Sequence, residues 1–181
     1  MPDQSLIDQC RKLYARHKDV LDLIIRYGDV NSFSTAANNF FDNHPELKKF
    51  DVRAAGAAFL PAPMYERVPP FNGTNWWGQS RPLAFWFNFF ETKIGIVIEV
   101  GPFQSDKFNR ESLVKKLQEY FDSKARIYPK FTRVYSRYMR LTEDQLSDAQ
   151  ELLSRMEMLY KEAADKHLEA ITKIVRDFFG T

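Results

Sequence analysis

Apolar positions along the chain change from a helical period to a strand period and back. Helical spacing runs through residues 5–27, resumes from Ser34 to just before Pro45, and returns in "NRESLVKKLQEYFDSK". A capping box formed by Thr142 and Gln145 predicts the start of a long C-terminal helix over about 143–179, with Gly180 beyond its end.

Strand patterns lie between these helices. "PLAFWFNFFETKIGIVIEVG" predicts a β-hairpin over 82–101 with its turn at Thr92 and Lys93. "VRAAGAAFL" and "KFTRVYSRYMRL" each predict one further strand. The chain is therefore expected to be a single α+β domain over 1–181, with a central sheet of about four strands, flanking helices and a long C-terminal helix.

Side chains alternate between the two faces of the predicted hairpin. With the turn at Thr92 and Lys93, Trp86 would lie opposite Glu99, and Asn88 opposite Val97. One face is then wholly apolar and is predicted to be core. The face that holds Glu99 has both polar and apolar residues. A carboxylate there needs solvent, a charged partner or a metal ion, because burying it without a partner costs several kcal/mol.

The long C-terminal helix carries an apolar stripe that includes Leu146, Met156, Tyr160 and Ile174. Its alternating spacing of three and four residues fits either a coiled-coil seam between two chains or a face packed on the domain's own core. The seam would make the chain a homodimer. Cys10, the single cysteine, excludes an internal disulfide and is expected to be a small buried residue.

Composition favours one soluble domain, since 181 residues with 44% apolar content can bury a substantial core. The longest apolar runs are far shorter than a membrane span, and the N-terminus has no secretory pattern. We therefore expect a cytoplasmic protein that does not associate with membranes.

Charge is distributed unevenly. Residues 102–140 hold ten basic and four acidic side chains, whereas residues 141–181 hold five and nine. The basic segment is a candidate phosphate-binding surface, or else a solvated strand that pairs with the acidic helix. Adjacent tryptophans in the loop "FNGTNWWGQSR" could anchor a partner or simply close the core. The candidate binding residues are Arg126, Lys130, Arg133, Arg137, Arg140, Trp76 and Trp77.

Residues 34–141 resemble the core of the PD-(D/E)XK nuclease superfamily in their order of helix, three strands, helix and strand. "IVIEVG" is similar to the third strand of that core, and "LVKKLQEY" is similar to the helix after it in RecB-type relatives. The resemblance implies that Glu99 is the motif acid. It also places Asn88 where a metal-binding aspartate is expected, and Gly101 at the position of the lysine. A lysine of the following segment, Lys107, Lys115 or Lys116, would have to replace it.

One carboxylate between an amide and a glycine is too weak a ligand set for a working Mg²⁺ ion. The expected function is therefore a non-catalytic module without a cofactor, which binds DNA, RNA or a protein partner in a nuclease or defence-type system. One alternative is an active Mg²⁺-dependent nuclease that uses Glu99 as metal ligand, with Asn88 and Lys107. The other is an oligomerisation or scaffold domain that dimerises through the C-terminal helix.

Overall fold

The structure is a computed structural model that describes residues 4–27, 31–71 and 75–180. It forms two compact units, Met1–Asn31 and Ser32–Thr181. The first unit holds helix α1 (Gln4–Tyr27), which is kinked at His17, where φ is −125° and ψ is 27°. Cys10 is exposed on this helix, so the prediction that it is buried is wrong. In the part of the chain that the structure describes, no helix is long and apolar enough to span a membrane.

The second unit alternates helices with the strands of one sheet. Its elements are α2 (Ser32–Asn43), β1 (Leu47–Arg53), β2 (Gly56–Pro61), α3 (Ala62–Tyr65), β3 (Leu83–Phe90), β4 (Lys93–Val100), α4 (Arg110–Phe121), β5 (Thr132–Arg140), α5 (Glu143–Leu146), α6 (Ala149–Ala163), a π-helical turn (Ala164–Leu168) and α7 (Glu169–Phe179). The predicted α+β class is confirmed.

The sheet has five antiparallel strands in the order β1-β2-β3-β4-β5. The additional strand comes from "VRAAGAAFL", which was predicted to be one strand but is the end of β1, a turn and most of β2. Arg53 pairs with Gly56, so Ala54 and Ala55 form the turn. Alanine is not one of the residues, such as asparagine and glycine, that favour short hairpin turns. The hairpin therefore cannot be recognised from the local sequence.

The predicted β3–β4 hairpin is confirmed, but its register differs by two residues. Phe90 pairs with Lys93, which places the turn at Glu91 and Thr92, and Glu91 has a positive φ of 51°. Trp86 consequently lies opposite Val97 rather than Glu99. A shift by an even number of residues leaves every side chain on its predicted face.

The helices pack against the apolar face of the sheet. Phe40 of α2 contacts Phe87 edge-to-face at 4.9 Å between ring centroids, and contacts Tyr160 of α6 at 5.6 Å. Other fully or nearly fully buried side chains of this core are Phe33, Phe59, Leu83, Phe85, Ile94, Ile96, Ile98, Leu113, Leu117, Leu152 and Met156. The prediction that this face of the hairpin is core is confirmed.

The long C-terminal helix begins at Ala149, after the short α5 that the Thr142 capping box opens. Met156 and Tyr160 of the predicted stripe are buried in the unit's own core, as the core-packing alternative expected. Beyond the π-helical turn the buried positions are Ile171, Val175 and Phe179, and Val175 comes one residue after the predicted Ile174. Dimerisation through this helix remains a prediction.

Candidate functional site

The second face of the sheet carries polar and aromatic side chains, and we call it the polar face. It is defined by Arg53, Trp86, Asn88, Glu99, Arg133 and Tyr138. Strand pairing places these residues together, because Gly95 of β4 pairs with both Asn88 and Tyr138. The polar face thus draws on four of the five strands.

A β-bulge brings Arg133 onto the polar face. Ile98 pairs with Tyr135, but the next residue of β4, Glu99, pairs with Arg133, so β5 holds one additional residue at Val134. Such a bulge changes the face on which the following side chains lie. Without it, Arg133 would lie on the same side as Arg137, away from Glu99.

A chain of hydrogen bonds crosses the polar face. Arg133 Nε donates to Glu99 Oε1 at 3.2 Å, and an Arg133 terminal nitrogen donates to the Tyr138 hydroxyl at 2.9 Å. Asn88 Nδ2 donates to the same hydroxyl at 2.8 Å. Because the hydroxyl oxygen accepts twice, its own proton is available to a ligand.

Glu99 is a buried acid whose side chain is only 4% exposed. Burial raises its pKa above the ordinary value, since desolvation penalises the carboxylate. Arg133 and the Trp86 indole oppose this shift. Trp86 Nε1 is close enough to favour the charged acid, yet it is buried without a hydrogen bond of normal geometry. Glu99 is therefore a structural ion-pair partner with unused acceptor capacity.

The tryptophan loop covers one end of the polar face. Trp76 packs directly on Gly101, where an added Cβ would collide with its ring. Trp77 has a positive φ of 56° and is followed by Gly78 with a φ of 69°. This left-handed pair turns the chain so that both indoles reach the sheet.

Two tryptophans that line the same depression as Glu99 lie next to each other, with an arginine on either side. Ring centroids of Trp77 and Trp86 are 5.2 Å apart. The Arg53 guanidinium lies 4.6 Å from the Trp77 centroid, and that of Arg133 lies 5.5 Å from the Trp86 centroid. They enclose a depression of about 250 Å³, which we call the Trp pocket; its lining is Arg53, Trp76, Trp77, Trp86, Glu99, Phe131 and Arg133.

A second depression of about 360 Å³ adjoins the Trp pocket, and Arg133 lines both. Asn88, Lys93, Tyr138 and Arg140 also line it. Six of the residues singled out from the sequence are thus brought to these two depressions. They are Glu99, Asn88, Arg133, Arg140, Trp76 and Trp77.

The other predicted site residues lie elsewhere. Lys107 lines a different depression at the start of α4, of about 700 Å³. Arg137 points to the helical side, where its Nε is 3.4 Å from Glu162 Oε2. Arg126 and Lys130 are exposed in the loop before β5, and the Arg126 guanidinium lies 5.7 Å from the centroid of the Tyr128 ring.

The geometry around Glu99 bears on the metal-site alternative. Arg133 occupies the side of the carboxylate where a cation would otherwise sit. Among the residues that the structure describes, no group of three histidine, cysteine, aspartate or glutamate side chains is placed to hold a metal ion. A lysine at position 101, as the nuclease motif requires, would need Trp76 to move.

Arg53 and Tyr138 are members of the site that the sequence did not reveal. Arg53 is at the end of a strand whose turn carries no signal, and Tyr138 is placed opposite Gly95 by the register of β5. A Cβ at Gly95 would overlap the Tyr138 ring, so a glycine in the middle of an apolar strand was the available hint of a close contact.

Comparisons of the chain with models of protein families, with curated proteins and with solved structures found no match. Function is therefore argued from the polar face itself.

Proposed function

We propose that the polar face binds single-stranded nucleic acid without cleaving it. The observation that carries this proposal is the pair of adjacent indole rings in the Trp pocket, flanked by two guanidinium groups and close in sequence to a basic segment. Aromatic rings offer stacking surfaces to unpaired bases, and arginines attract phosphates. The protein would then act within a nuclease or defence-type assembly, a context that the PD-(D/E)XK resemblance suggests.

Exposed rings continue along the chain from the Trp pocket into the basic loop, where Tyr128 lines the depression at the start of α4. Phe131 is 47% exposed and lines the Trp pocket, and Tyr128 is 53% exposed in the same segment. Arg126 and Lys130 are exposed beside them, and Arg140 lines the adjoining depression. A single strand that runs from the Trp pocket toward this loop would meet rings for its bases and cations for its phosphates.

Binding is tested by fluorescence anisotropy with labelled single-stranded and duplex oligonucleotides over a series of salt concentrations. We expect tighter binding to the single strand, and log K should fall linearly with log salt concentration. Arg126→Gln, Lys130→Gln and Arg140→Gln should each weaken binding and lower the salt slope by about 0.7, as expected for one phosphate contact on a single strand.

Arg137→Gln is the matched control. It removes the same charge from the same segment, but Arg137 is paired with Glu162 on the helical side. Its effect on affinity should be small. Absence of binding at low salt, or an equal loss in the Arg137 variant, would contradict the proposal. Shorter products in Mg²⁺ but not in EDTA, lost in Glu99→Ala, would instead support the nuclease alternative.

A further inference from the structure

The Trp pocket contains an acceptor and a donor that the protein does not satisfy. Glu99 receives one hydrogen bond, from Arg133 Nε, although a carboxylate can accept about four. Trp86 Nε1 is buried and lies near enough to Glu99 to favour the charged acid, but it makes no hydrogen bond of normal geometry. Buried polar groups are nearly always paired, so a donor and an acceptor that line one pocket without a normal hydrogen bond between them indicate a partner that would bind both.

We propose that the Trp pocket binds one guanine base, which is recognised by Glu99 and Trp86; this inference rests on the proposed function. The Watson–Crick edge of guanine presents two adjacent N–H donors, N1 and N2, followed by the O6 acceptor. Two donors match the Glu99 carboxylate, and the acceptor matches the indole N–H of Trp86. Arg133, which lines the pocket, can also donate to O6.

The other bases do not match this set. Adenine and cytosine each place a ring-nitrogen acceptor next to their amino group, and uracil or thymine has one N–H between two carbonyl acceptors. An acceptor placed against a buried carboxylate leaves both groups unpaired, which is how a polar site rejects a wrong ligand. The rings of Trp77 and Phe131 would hold the base by stacking without distinguishing its identity.

The test uses the full chain and 12-nucleotide oligothymidylates in which one central thymine is replaced by guanine, adenine or cytosine. Affinity for the guanine oligonucleotide should exceed the others about tenfold, within the range of a bidentate base contact. Glu99→Gln should reduce that preference to twofold or less, because an amide replaces one acceptor by a donor. Its affinity for plain oligothymidylate is measured alongside, so that the preference is calculated relative to the variant's own binding of thymine.

Two further variants secure the interpretation. Glu91→Gln removes an exposed carboxylate at the β3–β4 turn and should leave the preference unchanged. Trp86→Phe retains a ring but removes the indole N–H, and it should lower the preference while thermal unfolding confirms that the variant is folded. If Glu99→Gln fails to fold, quenching of wild-type tryptophan fluorescence by guanosine monophosphate but not adenosine monophosphate supports the site.

The outcomes separate the two proposals. Salt-dependent binding with equal affinity for all four oligonucleotides overturns the guanine inference and leaves the proposed function standing. Failure to bind any oligonucleotide at low salt overturns the proposed function. A guanine preference that survives in Glu99→Gln overturns the assignment of Glu99 as the recognising group.

Discussion

At the residue scale, Gly101 shows how packing and chemistry compete for one position. The PD-(D/E)XK resemblance places a lysine here, but the Trp76 ring occupies the space that any side chain would need. Gly101→Ala should therefore lower the free energy of unfolding by about 1–3 kcal/mol, the usual cost of overpacking. Urea denaturation of the variant and the wild-type protein measures this difference.

Trp76→Ala provides the control for Gly101. In that background the space above Gly101 is empty, so Gly101→Ala should cost much less than it does in the wild-type protein. A double-mutant cycle gives the coupling directly. Equal costs in the two backgrounds would mean that Trp76 does not pack on Gly101.

At the element scale, His44 joins the end of α2 to α6. Its Nδ1 lies 2.9 Å from Glu46 Oε1, and its Nε2 lies 2.7 Å from Glu157 Oε2. Burial alone would lower the pKa of His44, but the two carboxylates raise it above 6.5. A folded pKa above the unfolded value means that the protonated histidine stabilises the fold below pH 6.5, and this contribution is lost as pH rises through the folded pKa.

The pKa of His167, in the π-helical turn, is shifted in the opposite direction. Burial first and then Lys166 lower its pKa below 6.5, and its Nδ1 lies 3.0 Å from the Tyr120 hydroxyl. Its contribution is present above pH 6.5 and is lost as pH falls through the folded pKa.

The opposite pKa shifts of His44 and His167 predict opposite effects of pH on stability. The relevant range is about pH 5 to 8, over which histidines titrate. In the wild-type protein, deprotonation of His44 lowers the free energy of unfolding as pH rises, and His44→Gln should abolish this decrease. Protonation of His167 lowers it as pH falls, and His167→Gln should abolish that decrease. Urea denaturation at several pH values measures both, and each variant is the control for the other. Variants that change the pH dependence in the same direction would contradict the assignment.

The π-helical turn sets the orientation of α7. A π turn holds one additional residue, and one residue rotates an α-helix by about 100°. Inserting one alanine after the exposed Asp165 should rotate α7 by this angle and move Ile171 and Val175 out of the core, with a loss of about 3 kcal/mol or more in unfolding free energy. Deleting Asp165 should instead convert the turn to α-helix, leave Ile171 and Val175 at positions that a continuous helix buries, and cost far less in thermal or urea unfolding. Similar losses in the two variants would rule out this role.

Long regular patterns were predictable from the sequence, whereas irregularities were not. α2, α4 and the β3–β4 hairpin follow from periodic apolar residues, because burial of one face imposes the period. The Ala54–Ala55 turn reverses the chain without a typical turn residue. The bulge at Val134 and the π-helical turn each shift by one residue the set of side chains that faces the core. The Trp pocket depends on two of these features, and so only part of its lining could be found.

At the scale of the whole molecule, the basic segment over 102–140 is divided between the two sides of the sheet. Arg137 pairs with Glu162 of α6, as expected if the segment neutralises the acidic helix. Arg133 and Arg140 line the depressions of the polar face. Strand alternation separates Arg140 from Arg137, and the bulge at Val134 separates Arg133 from Arg137. The pairing interpretation therefore applies to Arg137, and binding by Arg133 and Arg140 stays a prediction.

The hydrophobic core lies entirely in the second unit, between Phe33 and Phe179, as far as the described residues extend. Leu13, Tyr14 and Val20 of α1 are exposed. A chain that starts at Ser32 retains this whole core and should unfold cooperatively in urea as a unit of its own. A chain that starts at Asn38 loses the buried Phe33, Ala36 and Ala37 and should not fold. Loss of cooperative unfolding in the first truncation, measured by circular dichroism, would contradict this prediction.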